Sequence, residues 1–264
     1  MTNPPHRHSG APLRAMSGSA AAAPSVTTPG QPRVGGLTPF TTIDFPGQLA
    51  TVVYLQGCPW RCRYCHNGHL LDSGGAAEIG WGEVMEFLRQ RRGLLDAVVF
   101  SGGEPTAQSA LPRAVQQVRD LGFRVGLHTS GSYPRRLARL LPALDWVGLD
   151  IKALPEDYAA LTGVEDSGER AYRSLRLLLD SGVSHEVRVT VHERLLPPSK
   201  LQRLLELLRD SGVAEPVLQR CRSEVILDPS LGPNRQSGLS VERCVTAQAQ
   251  VVPLDRCCED ALSA

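Results

Sequence analysis

The sequence predicts an α/β fold, a partial (β/α)6 barrel with a disordered N-terminal segment and a short C-terminal extension. Three observations point there. Six short apolar runs alternate with helical patterns between residues 50 and 219, which is the rhythm of a parallel sheet. Polar or glycine-rich clusters follow five of those runs. In barrels, chemistry collects at the carboxyl ends of successive strands, whereas a doubly wound sheet gathers it at one switch point. Finally, 264 residues, 42% hydrophobic and 21% charged, suffice for one large α/β domain or two small ones.

Along the chain, residues 1–34 are rich in Pro, Ala, Ser and Thr and lack acids and aromatics. They cannot bury enough apolar surface to offset chain entropy, so disorder is expected. A barrel domain is expected over 35–220. ATVVYLQ (50–56) reads as a buried strand that delivers the chain into Cys58. WGEVMEFLRQRRG (81–93) places Val84, Phe87 and Leu88 on one helical face. DAVVFSGGE (96–104) is a strand running into glycines, and 109–122 is a helix ending on Gly122. FRVGLHTSG (123–131) is a strand and turn, followed by a helix from PRRLARLLPAL and the strand DWVGLDIKA (145–153). Helical patterns cover EDYAALTG and GERAYRSLRLLLDSG. HEVRVTVHE (185–193) is a strand, 199–212 a helix, and EPVLQ (215–219) a last short strand. Residues 221–264 show no catalytic pattern.

Seven cysteines are unevenly spread, with Cys58, Cys62 and Cys65 inside GCPWRCRYCHN and four near the end. The clustered three are too close for a disulfide framework and point to a metal centre in a reducing compartment, the cytoplasm by default. A structural zinc wants four ligands. His66, next to Cys65, projects away from it, and zinc motifs separate their ligand pairs by a dozen or more residues. Three thiolates on one loop fit a cubane iron–sulfur cluster with one iron left open for an exogenous chelate. Cys221, Cys244, Cys257 and Cys258, at gaps of 23, 13 and 1, read as incidental.

C-x3-C-x2-C with an aromatic before the third cysteine resembles the radical S-adenosylmethionine (SAM) enzymes. GLTPFTTIDFPGQLATVVYLQGCPWRCRYCHN, SGGEPTAQ and LDIKA together resemble the activating proteins of glycyl-radical enzymes, specifically of anaerobic ribonucleoside-triphosphate reductases, over about residues 35–220. That resemblance implies a [4Fe–4S] cluster on Cys58, Cys62 and Cys65, whose open iron binds the amino and carboxylate groups of SAM. It implies that Tyr64 packs by the adenine and that Asn67 contacts the cofactor. Gly102 and Gly103 would let the backbone approach the methionine ammonium, and Glu104 would orient it. Thr129 and Ser130 would touch the cofactor, as would Asp150 and Lys152, with Arg188 near its carboxylate. A plain turn at SGGE and a rim salt-bridge network for Asp150, Lys152 and Arg188 are the structural alternatives. Relatives often place Asp before the Thr, beside a monovalent cation; His128 stands there, which suits a cation poorly.

The resemblance further implies a glycyl-radical protein as substrate and an electron donor such as flavodoxin or ferredoxin. Net charge of +1 gives no field for nucleic acid, and no apolar run approaches a membrane span. Two other readings are weighed. A deazapurine-synthase-like enzyme acting on a small metabolite would need a dedicated substrate motif, and none stands out. A non-catalytic iron–sulfur sensor would need a DNA-binding element and would leave SGGE unexplained.

Overall fold

The computed structural model describes residues 30–74, 79–222 and 225–234. Seven strands form one sheet: β1 (Val34–Thr41), β2 (Ala50–Leu55), β3 (Ala97–Gly102), β4 (Arg124–Thr129), β5 (Trp146–Asp150), β6 (His185–Val191) and β7 (Val217–Arg220). Their spatial order is their chain order, so no switch point exists. β2 to β7 pair parallel throughout. These are the six strands expected, and their successive starts are staggered: Arg124 lies level with Ala97, but Trp146 with Gly126 and Val217 with Arg188. Such a stagger tilts the strands and curls the sheet toward a barrel.

β1 was not among the expected strands, and it pairs antiparallel with β2 on the sheet's edge. VGGLTPFT offers neither alternation nor strong β-formers apart from its ends. It is a strand because pairing with β2 requires it. Pro39 falls where the register shifts between Thr38 and Thr41, the bulged edge position that tolerates a missing N–H.

The helices follow the expected patterns: α1 (Trp81–Gln90), α2 (Leu111–Asp120), α3 (Pro134–Leu140), α4 (Tyr158–Thr162), α5 (Ser167–Ser181) and α6 (Pro198–Asp210). Val84, Phe87 and Leu88 are buried as their spacing requires. β2 shows why the sheet has two apolar faces. Val53 and Leu55 enter the large cluster under the helices, while Ala50, Val52 and Tyr54 join Phe45, Val99 and Trp146 on the other face. Side chains alternate with period two, so a continuous apolar run is needed when both faces are buried. Phe45, from the loop after β1, stacks on Trp146 at 5.4 Å and fills the concave side.

Most of the N-terminal stretch expected to be disordered lies outside the described residues, as do Cys244, Cys257 and Cys258. Among the described residues, no helix is long and apolar enough to cross a membrane.

Candidate active site

The tails of β2, β3, β4, β5 and β6 converge on a cavity of about 570 Å³, within the range of small-molecule sites. Cys58, Cys62, Tyr64, Cys65, Asn67, Gly102, Gly103, Thr129, Ser130, Asp150, Lys152 and Arg188 all line it. Of the residues singled out from sequence, Glu104 alone is absent from its wall.

The cysteine loop is held against β3 by backbone. Gly103 N donates to Leu55 O at 2.8 Å and Glu104 N to Gly57 O at 2.9 Å. This contact explains both glycines. A Cβ on Gly103 would stand 2.5 Å from Gly57 O, and one on Gly102 would stand 2.4 Å from the Leu55 backbone. Gly102 also has φ +115°, a region strained for any side chain. The glycines thus let two strand tails touch, in addition to any approach to a ligand.

Glu104 is fully buried. Its Oε1 accepts from Thr106 N (3.0 Å), Thr106 Oγ1 (2.5 Å) and Thr129 Oγ1 (2.7 Å), and its Oε2 from Ser130 N (2.9 Å) and Ser130 Oγ (2.6 Å). The carboxylate ties the β3 tail to the β4 tail and sets the Thr129–Ser130 turn that lines the cavity.

Over the cysteine loop, Lys152 Nζ lies 3.1 Å from Asp150 Oδ2 and 5.7 Å from the Tyr64 ring centre. Burial would raise the Asp150 pKa, but Lys152 and then Arg188 outweigh it and hold it below its ordinary value. Burial likewise opposes the charge on Lys152, and Asp150 overcomes it. Arg188, 4% exposed, lies over Trp146 at 5.0 Å and reaches Glu186 at 3.4 Å. Two separate ion pairs, Lys152–Asp150 and Arg188–Glu186, thus stand where a single rim network of Asp150, Lys152 and Arg188 was the structural alternative, and Asp150, Lys152 and Arg188 all face the cavity. His128 donates from Nε2 to Asp44 O at 2.9 Å and packs edge-on against Trp146. Burial, followed by the charge of Arg188, pushes its pKa down to about 4, so the imidazole is neutral at pH 7.

Burial pushes the Cys58 thiol up to about 12 and the Cys62 thiol up to about 11, and raises Cys65 as well. Among the described residues, no three His, Cys, Asp or Glu side chains converge closely enough for a single metal ion. All three cysteines line the cavity, where they could serve a polynuclear cluster rather than a single ion. Four buried polar atoms of residues lining the cavity, Asp44 Oδ1, Trp60 Nε1, Tyr64 Oη and Gln219 Nε2, have no hydrogen-bond partner in the protein, and buried polar groups are seldom left so. The donor set fits a cluster with a polar ligand next to it. Sequence reasoning missed Asp44 and Gln219, both of which line the cavity. The TIDFPG stretch was part of the resemblance, but nothing in it told which side chain turns inward.

Comparison with known proteins agrees. The model of the Radical SAM superfamily matches residues 52–211. The pyruvate formate-lyase 1-activating enzyme of Escherichia coli K12 is 30% identical over 186 residues, covering 67% of this chain and 74% of that one. The pyruvate formate-lyase-activating enzyme of Clostridium pasteurianum is 27% identical over 218 residues, covering 80% and 87%. Among solved structures, Streptococcus suis SuiB bound to precursor peptide SuiA superposes with a TM-score of 0.52 at 14% identity, over 64% of this chain and 38% of that one. AnSMEcpe with bound AdoMet gives 0.52 at 16% identity, over 67% and 54%. This chain thus spans well under two thirds of either solved protein, and those two likenesses show the fold alone. Family match, activating-enzyme relatives and cavity together establish that the chain belongs to the radical SAM superfamily, whose members use a [4Fe–4S] cluster and SAM.

Proposed function

We propose that the protein generates a glycyl radical on a partner protein, and that the partner is an anaerobic ribonucleoside-triphosphate reductase. The observation that carries activation is the conjunction of the cysteine loop and five strand tails on one cavity in a chain whose relatives are named activating enzymes. The choice of reductase rests on the stretch GLTPFTTIDFPGQLATVVYLQGCPWRCRYCHN.

Cys58, Cys62 and Cys65 would hold the cluster, leaving one iron for the methionine end of SAM. When bound, the pair would supply reductive one-electron chemistry for removing a Cα hydrogen from the target glycine. The chain's own task is to bind, orient and exclude water. Gly102 and Gly103 present backbone at the cavity wall, and Thr129 and Ser130 offer polar contacts held by Glu104. Lys152 and Arg188 supply positive charge for a carboxylate, worth about 1.5–3 kcal/mol per charge-assisted contact. Tyr64 offers a face for a purine and Asn67 a polar contact. An electron donor of the flavodoxin or ferredoxin kind would supply the electron.

The test mixes anaerobically reconstituted, reduced protein with SAM and the reductase, followed by an EPR spectrum. A glycyl doublet, absent when the reductase glycine is replaced by alanine, is the expected result. SAM cleavage without a doublet on any glycyl-radical protein of the same genome, together with turnover of a small metabolite, would overturn it.

A further inference from the structure

The cysteine loop has almost no secondary structure of its own, so its shape must come from what it leans on. One side is clear. Arg61 N donates to Thr162 O at 2.9 Å and Arg63 N to Leu161 O at 3.1 Å. Those are the last carbonyls of α4, which the helix itself cannot satisfy. The opposite side is held by residues just beyond β7. Leu227 N donates to Cys65 O at 3.0 Å and Asp228 N to Arg63 O at 2.8 Å. Asp228 Oδ2 accepts from Arg63 Nε at 2.7 Å, and His66 Nε2 lies 2.6 Å from Arg222 O. The backbone of Arg63 to Cys65 is therefore gripped from two sides.

The outer grip is anchored to the barrel rather than hanging free. Cys221 N donates to Val191 O at 2.9 Å, continuing the β6–β7 pairing. Leu231 is 2% exposed and enters the main core. Asn234 Nδ2 donates to Val191 O (3.0 Å) and Cys221 O (3.1 Å), while its Oδ1 accepts from Glu193 N (3.2 Å). Arg194 NH1 donates to Ser230 O at 2.8 Å. Since β1 and β7 are the outer strands of an open sheet, this connection from β7 to the loop after β2 closes the ring of loops at the carboxyl rim. Arg220, Arg222 and Val225 line the cavity beside Cys65.

We infer that residues 221–222 and 225–234 form a positioning strap for the cysteine loop, in which Leu227 and Asp228 fix Cys65 and Arg63 from outside and Leu231 and Asn234 pin the strap to the barrel. This inference rests on the reading that the loop holds the cluster. The strap would set the place of the third thiolate and shield that side of the cluster from solvent. It does so largely through backbone bonds, which is why no motif marks it.

The test uses the full chain with three substitutions. Leu227→Pro removes the N–H that Cys65 O accepts. Leu227→Ala keeps it and is the conservative control, since Leu227 is 41% exposed and does not belong to the buried core. Asn234→Ala releases the anchor and decides the matter if Leu227→Pro fails to fold. Amide exchange at Arg61, Arg63 and Cys65 is measured on the cluster-free chain, and air-driven loss of visible absorption and the reduced-cluster EPR line shape on the loaded one. Leu227→Pro should exchange and bleach about fivefold to tenfold faster, the factor of one lost hydrogen bond, and Asn234→Ala, which loses three, at least as much, both with an altered EPR line shape. Leu227→Ala should match the native chain. Unchanged exchange, bleaching and line shape in both disruptive variants would overturn the strap. Failure of the native chain to take up iron would overturn the cluster reading instead, and the exchange measurement would still judge the strap.

Discussion

Glu104 and His128 are the two side chains whose surroundings dictate their behaviour most strongly. Five donors converge on the Glu104 carboxylate, and Ala would leave several of them buried without an acceptor. Each such loss costs about 1–3 kcal/mol, so Glu104→Ala should lower stability by about 3 kcal/mol or more. Any loss of SAM affinity should accompany a displaced Thr129–Ser130 turn. Thermal unfolding of the cluster-free protein checks this; an unchanged midpoint would show that the five bonds contribute nothing net. His128 makes a pH prediction. Its folded pKa of about 4 lies below the ordinary value of 6.5, so the unfolded chain binds the proton first as pH falls. The stability held by the neutral imidazole is present above pH 6.5 and is lost as pH drops toward 4. The limit, at 1.36 kcal/mol per pKa unit, is about 3 kcal/mol. His128→Gln should flatten that acid limb between pH 6.5 and 4 relative to the native chain, measured as unfolding midpoint against pH. Neither behaviour can be read from sequence, because three of the five donors to Glu104 come from Thr129 and Ser130 at the tail of the next strand and the burial of His128 comes from Trp146 and the loop carrying Asp44.

At the scale of elements, the parallel strands were legible because the central ones are runs such as ATVVYL or AVVF, buried on both faces and therefore apolar at consecutive positions, while β6 (HEVRVTV) and β7 (VLQR) read as strands from their short β-branched or apolar stretches between helices. The polar groups at their tails were legible because the parallel fold puts every tail on one rim. β1 was not, since VGGLTPFT acquires its conformation only from the neighbouring strand. The strap was not, since Leu231 is the one deeply buried apolar side chain in residues 225–234 and no periodicity results. The glycines of SGGE lie between these cases: their presence was legible, and the contact that demands them was not. That contact yields a prediction. Gly103→Ala would put a methyl 2.5 Å from Gly57 O, backbone that can yield only by moving the cysteine loop. Iron bound after anaerobic reconstitution should fall to a small fraction of the native amount, while Gly82→Ala, with nothing within 4 Å of its Cβ, should keep full iron and gain about 0.5 kcal/mol from helix propensity. Full iron in Gly103→Ala would mean that the β2 and β3 tails tolerate separation.

For the whole molecule, the important fact is that the cavity is shared among strands rather than owned by one. Its wall takes residues from the tails of β2 to β6, together with Asp44 and with Gln219 and Arg220 of β7, and these strands are joined to one another by sheet pairing and by contacts such as Glu104 to Ser130. A ligand that touches all five tails binds the folded chain and not the unfolded one, so it should stabilise the domain as a unit. At 100 times its dissociation constant, such a ligand contributes about 2.7 kcal/mol. For a domain of this size that corresponds to a rise in unfolding midpoint of about 5–10 °C. SAM added to the anaerobic cluster-loaded protein should produce this rise, and slowed amide exchange should appear at the tails of β3, β4, β5 and β6 together. Arg188→Ala removes one charge from the cavity wall without touching the cysteine loop. It should load iron normally, yet need at least about ten times more SAM for the same rise, the low end of the loss expected for one charge-assisted contact. A rise of the same size at the same SAM concentration in native and Arg188→Ala protein would place Arg188 outside the cofactor site, whatever the cavity's shape suggests.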